Sequence, residues 1–210
     1  MHIPDGMLPA EVCIAGYAGT AFLTWLSVKK AQNSSEDSAR VVSRASVMAA
    51  AFFVASWIHI PIPPVSVHPI LAGLMGILLG WISFPAILVG LFFQAAMFGH
   101  GGFTTLGINA LSMGGAALLA GAVYRLLRGK HKENMSLIPG FFAGFAGVSF
   151  AVIFTSSILV LTMPEHIDSG IELSSILAMA VAHLPLALAE GFFTALVARF
   201  LLKVKPDMLV

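Results

Sequence analysis

The sequence predicts an all-α membrane protein, a polytopic bundle of about seven transmembrane helices forming one domain over residues 1–210. Three observations point there. Hydrophobic residues make up 58% of the 210 and charged residues 10%, where a water-soluble domain carries about a quarter charged. Mean hydropathy is +0.93. The charges are also bunched: no Asp, Glu, Lys or Arg occurs in the 80 residues from Ala45 to Tyr124, nor in residues 134–164, 12–28 or 173–189. Water-soluble folds and disordered chains are excluded by this pattern. A net charge of +1 without a basic stripe argues against nucleic acid as a partner. A single cysteine, Cys13, excludes an intrachain disulfide and a thiolate metal cage.

A spanning helix needs about 20 apolar residues, and turn residues and charges divide the long runs into seven segments: about 9–28, 42–60, 67–80, 84–99, 106–127, 136–163 and 172–202. The runs are continuously apolar and do not alternate, so they are not strands of a trans-bilayer barrel. The third segment is short and rich in glycine, and is expected to tilt or to pack against its neighbours instead of lipid. Gly140 with Gly144, and Gly114, Gly115 and Gly121, suit close helix contacts. Residues 1–8 have no basic region, and Pro4, Asp5, Gly6 and Pro9 interrupt the start of the first run, so no signal peptide is expected. The cations then orient the chain. Lys29, Lys30, Arg40 and Arg44 follow the first span, Arg125, Arg128, Lys130 and Lys132 the fifth, and Arg199, Lys203 and Lys205 the seventh. Seven spans put all of them on one side, the cytoplasmic one by the positive-inside rule. Six would divide them. The N-terminus is therefore expected outside and the C-terminus inside, in a multi-pass protein of the cell membrane.

On that topology His2, His59, His68, His100 and His166 fall on the outer side, His131 lies in the basic inner loop, and His183 lies within the last span. Five histidines on one side of so apolar a chain favour a metal site there, since imidazole is the commonest neutral ligand. The chain begins Met1-His2-Ile3-Pro4-Asp5-Gly6. A free amine on Met1, the amide nitrogen of His2 and its Nδ1 can chelate one ion in fused five- and six-membered rings. Planar nitrogen donors suit Ni(II) or Cu(II). The fourth position falls first to His68, then to His59 or His100. The plainer alternative is an initiator methionine that happens to precede a histidine.

With these residues in view the sequence resembles the cobalt and nickel substrate-capture subunits of energy-coupling factor transporters, the CbiM/NikM type. The resemblance rests on the N-terminal hexapeptide, His68, Leu79-Gly80-Trp81, Gln94, Phe98-Gly99-His100-Gly101-Gly102, Thr105-Leu106-Gly107, Asn109, Met113, His183-Leu184-Pro185 and Glu190-Gly191. It covers essentially the whole chain in order. Two features depart from it: Ser66-Val67-His68-Pro69, where many relatives are Ser/Gly-rich before the histidine, and His100, a position often acidic in cobalt-type relatives. The second favours nickel. The resemblance implies a seven-helix subunit whose tail, residues 1–8, plugs the bundle and ligates the ion through Met1, His2 and His68. It also implies partners: a transmembrane coupling subunit, ATP-binding-cassette ATPase subunits, and room for a small additional membrane subunit. The sequence has no GxxxxGK[ST] loop of its own.

The remaining polar residues admit two readings each. Gln94 and Asn109 either bond between helices or orient the tail and a ligand imidazole, and Asp5 can act similarly. The Gly99–Gly102 loop is a turn or a lid over the site. Glu190 and His183 lie seven residues apart on nearly one helix face, with Pro185 between them. They either couple metal binding to helix movement or hold the packing. Their depth below the tail favours the second role. The function expected is a substrate-specificity subunit for Ni(II), with Co(II) second, and not an enzyme or a holder of an organic cofactor. A membrane metallohydrolase would want an HExxH pair that is absent from the sequence. A self-sufficient secondary permease would want an internal repeat and more midplane charge than Glu190.

Overall fold

The computed structural model describes residues 2–33, 37–58, 60–62, 65–129, 137–163 and 169–209. Their α-helices are α1 (Ala10–Gln32), α2 (Ser38–Ala55), α3 (Ala72–Leu79), α4 (Ser83–Phe98), α5 (Leu106–Arg128), α6 (Leu137–Leu161) and α7 (Ser169–Val204). α1 runs past the expected residue 28 because its last turn is basic, which favours a helix C-terminus. Lys29 there lies over the Trp25 ring at 4.9 Å.

The larger departure follows α2. That helix stops at Ala55, five residues before the expected end. The chain then forms a hairpin of β1 (Ile60–Ile62) and β2 (Val65–Val67), antiparallel, with Ile60 opposite Val67. Pro61, Pro63 and Pro64 account for this: proline lacks an N–H for a helix and biases the preceding residue toward extended backbone. The hairpin takes its residues from both flanking segments, so α3 begins at Ala72 rather than 67 and has eight residues. At about 12 Å it cannot span a bilayer. The described residues hold six helical stretches long and apolar enough to cross a membrane, with α3 and α4 counting together as Ala72–Phe98.

Glycine contacts give the relative directions. Gly16 and Gly19 of α1 meet Ile108 and Leu111 of α5, so these helices run parallel. Ser112 of α5 bonds Thr155 of α6 at 2.9 Å, while Gly147 meets Ala116 and Ala120, so that pair is antiparallel. Gly140 and Gly144 of α6 meet Ala195 and then Glu190 of α7, again antiparallel. One end of the bundle therefore collects the C-termini of α1, α5 and α7 with Lys29, Lys30, Arg125, Arg128, Arg199, Lys203 and Lys205; Arg40 and Arg44 enter there after the short link from α1. The tail, the hairpin and the α4–α5 loop occupy the other end. Apolar side chains such as Phe22, Leu161, Leu177, Phe192 and Phe200 face outward, as a lipid-facing surface requires.

α3 sits at the centre. All eight of its residues are buried. A methyl group at Gly76 would strike the Ala117 carbonyl and the Gly121 backbone of α5, and one at Gly73 would strike Gly144 and Thr194. After α3 the chain turns through Gly80, whose φ of +53° and ψ of −123° suit glycine alone, and one turn of 3₁₀ helix leads into α4. At its other end Leu71 adopts a left-handed φ of 53°, which costs about 1–2 kcal/mol for a residue with a Cβ. Glu190 of α7 holds this corner: its Oε1 accepts the N–H of Ile70 and, at 3.0 Å, that of Leu71. The carboxylate thus satisfies donors that the start of a helix leaves open.

Glu190→Leu removes that acceptor from two N–H groups, Ile70's being buried, at about 1–3 kcal/mol for each donor left unsatisfied. The expected result is a lower thermal midpoint in detergent, followed by circular dichroism, with most of the loss recovered in Glu190→Gln. A leucine variant that melts with wild type would remove Glu190 from this role.

Candidate metal centre

The tail has no helix or strand of its own at the end of a membrane bundle, so its backbone polar groups need partners inside the protein. Asn109, one turn into α5, supplies them for Ile3. Its Oδ1 accepts the Ile3 N–H at 2.9 Å and its Nδ2 donates to the Ile3 carbonyl at 3.0 Å. The Thr105 hydroxyl donates to the same carbonyl at 2.6 Å. Ile3 itself is 2% exposed. Asp5, on the surface, fastens the tail a second time. Its carboxylate accepts the Phe103 N–H at 3.1 Å, the Thr104 N–H at 2.8 Å and the Thr104 hydroxyl at 2.5 Å. The Thr104 hydroxyl first, then these backbone donors, hold the Asp5 carboxyl below its ordinary 3.8. A methyl group at Gly102 would strike this carboxylate, so the loop needs glycine there.

These two anchors deliver His2 into a group of three imidazoles. His2, His68 and His100 each offer a ring nitrogen, and the three nitrogens lie within 4.8 Å of one another. His2 Nδ1 is 3.2 Å from His68 Nε2. The other nitrogens of these two rings are engaged: His2 Nε2 lies 2.9 Å from Gln94 Oε1 and His68 Nδ1 lies 3.2 Å from the Pro69 carbonyl. In the tautomers in which His2 Nε2 donates to Gln94 and His68 Nδ1 to Pro69, the two remaining nitrogens turn their lone pairs toward each other. Such a pair repels itself and invites a cation. With a metal–nitrogen distance of about 2.0 Å, neighbouring donors at a right angle sit about 2.8 Å apart, close to what is seen. Desolvation first, and His68 next, hold His2 well below the usual 6.5, which keeps its ring neutral and available as a ligand. The His100 ring stands edge-on to His2 with centroids 4.1 Å apart. It borders the site as either a lid or a further donor.

The structure thus brings together His2, His68, His100, Gln94, Asn109 and Asp5. Met1 and His59 lie outside the described residues, as do His131 and His166. His183 and Glu190 stand apart from the cluster. His183 is on α7 with Nδ1 donating to the Met179 carbonyl at 2.7 Å, and Glu190 caps α3, two residues beyond His68. Thr104, Thr105 and Tyr17, whose hydroxyl donates to the Phe103 carbonyl, also hold this end together. Sequence reasoning gave them no role. Their one signal is position, a Thr pair between a glycine-rich loop and an apolar helix.

Comparison with known proteins places the chain. The model of the CbiM family, described as the cobalt uptake substrate-specific transmembrane region, matches residues 2–208. A Haemophilus influenzae protein provisionally described as a metal transport protein is 32% identical over 100% of this chain and 97% of its own. The cobalt transport protein CbiM of Clostridium tetani is 31% identical over 97% of this chain and 85% of its own. A fused nickel transport protein, NikMN, of Rhodobacter capsulatus is 31% identical over 100% of this chain and 64% of its own. A crystal structure described as a transition metal transporter superposes with a TM-score of 0.82 at 28% identity, covering 97% of this chain and 93% of that one. A match of this extent, carried by an apolar helical bundle with clustered imidazoles at one end, makes this chain a multi-pass membrane protein of the CbiM family of metal transport proteins, not an enzyme.

Proposed function

We propose that this chain is the substrate-binding subunit of an energy-coupling factor importer, and that it captures Ni(II), with Co(II) second, at the outer face of the cell membrane. The observation that carries the reading is the approach of His2 Nδ1 to His68 Nε2 at 3.2 Å, with His2 Nε2 on Gln94 and His68 Nδ1 on the Pro69 carbonyl. Two cis ligands are then preset in tautomer and direction, which removes an ordering cost from binding. The His2 amide nitrogen and the Met1 amine complete four nitrogen donors in a plane. That geometry favours a low-spin square-planar ion over an octahedral one, hence nickel. The relatives named for nickel and for cobalt support the pair of ions, and His100 beside the site favours the first of them.

The cation-rich end lies in the cytoplasm in this reading, and the tail end outside. An ion held by a plug cannot leave inward while Asn109 and Asp5 hold the tail, so its release needs work done on the bundle. A transmembrane coupling subunit with ATPase subunits supplies that work. The NikMN relative, a fused protein of which this chain covers 64%, supports a chain that acts with further parts.

Two experiments test the site. Gln94→Leu removes the acceptor that fixes the His2 tautomer. It is expected to weaken Ni(II) binding by about 10–100-fold with helical content unchanged, read by calorimetric titration; wild-type affinity would release Gln94 from this part. The second concerns the chelate itself. Acetylation of the Met1 amine removes a donor and leaves His2 in place, and His68→Ala removes the fourth nitrogen. Each should severely weaken Ni(II) binding and abolish a diamagnetic, yellow Ni(II) spectrum, while a C-terminal tag is harmless. Wild-type binding by the acetylated form would eliminate the N-terminal chelate. Uptake of Ni(II) by liposomes holding this chain alone would eliminate the need for partners.

A further inference from the structure

Beside the imidazole cluster the bundle is hollow. A cavity of about 300 Å³ lies between the tail and the neighbouring turns of α6 and α7. Its α7 wall carries Glu172, Ser175, Met179 and His183, and its tail wall carries Met7 and His2. The α7 residues are spaced by three, four and four, which sets them on one helix face. Together they run about 16 Å along the axis. Along that line the donors change from carboxylate to hydroxyl, thioether and imidazole. Glu172, in the first turn of α7, is the acidic group at the start of the series.

His183 ends it. Nδ1 donates to the Met179 carbonyl at 2.7 Å, so in the neutral ring Nε2 carries a lone pair. The residue is 2% exposed, and Nε2 has no hydrogen-bond partner among the described residues. Burying such an acceptor unpaired costs free energy, and its persistence asks for a reason. A neutral imidazole nitrogen of this kind is a ligand for a divalent transition-metal ion.

We infer that this face of α7 is the path by which the metal ion reaches the tail: Glu172 attracts it at the mouth, and Met179 and His183 bind it in passing before His2 takes it. The inference rests on the reading of His2 and His68 as ligands and adds the route to them. A fixed plug makes such a route necessary, because the tail's anchors on Asn109 and Asp5 need not break for an ion arriving from the side. A path residue speeds arrival and departure alike, so its loss leaves the equilibrium where it was.

The test is stopped-flow absorbance of the nickel band on the full chain with a native N-terminus. His183→Gln keeps a polar side chain but removes the imidazole; Glu172→Gln removes the charge at a half-exposed position. Expected are an association rate lower by about tenfold for His183→Gln and severalfold for Glu172→Gln, the latter difference disappearing in high salt. Dissociation slows in proportion, with the dissociation constant and bound spectrum of wild type. Wild-type rates in both variants would overturn the path. So would a changed spectrum or affinity at an unchanged association rate, which makes His183 part of the equilibrium site or its packing. If His183→Gln does not fold, Glu172→Gln with Met179→Leu decides by the same rates. A wild-type chain with no nitrogen-ligated nickel band would sink the tail site itself, and this inference with it, a result distinct from unchanged rates.

Discussion

Ile3 has its peptide groups buried at the end of an apolar bundle, and one side chain answers both of them. Asn109 accepts from its N–H and donates to its carbonyl, and Thr105 adds a second donor to that carbonyl. Irregular backbone is tolerated at membrane depth only when it is satisfied in this way. Without the amide at 109 the tail has no reason to enter, and water would be its better solvent. With it, the position of His2 follows within one residue, and Gln94 then sets which of its nitrogens is free. The imidazole cluster is thus a consequence of a hydrogen-bonding constraint on the main chain of the next residue.

The other half of the cluster depends on small residues. His68 reaches the tail because α3 is packed into the middle of the bundle, and α3 fits there because Gly73 and Gly76 let the backbones of α5 and α6 approach. Glu190 fixes the remaining freedom by capping the strained corner at Leu71. The rings of His2 and His68 therefore arrive by different means, one on a clamped tail and the other on the link between β2 and α3. Their mutual distance reflects the packing of α3, α5 and α7 together.

The helical architecture was legible because lipid demands it: long charge-free runs can be read directly, and α1, α5, α6 and α7 lie close to the segments so read. The hairpin was not, since its residues are as apolar as the spans on either side and only the prolines at 61, 63 and 64 separate them. The gathering of His2, His68 and His100 could be expected from one side of the chain, but their pairing could not, for it depends on where α3 begins. Glu190 shows the limit plainly. An intramembrane carboxylate announces a role, yet its partner Ile70 lies 120 residues away, and no spacing rule reaches that far.

α3 also has a bearing on the membrane around the protein. Bilayers differ in thickness, and helices that touch lipid adjust by tilting or by moving their flanking residues. α1, α2, α6 and α7 carry exposed apolar faces and meet that demand directly. α3 exposes nothing to it. The helix that follows His68 by four residues is a passenger on its neighbours, so a thinner or thicker bilayer is felt at this imidazole only as far as the glycine contacts and the Glu190 cap transmit it. The spacing of the His2 and His68 rings is in this way insulated from lipid composition as the membrane is remodelled.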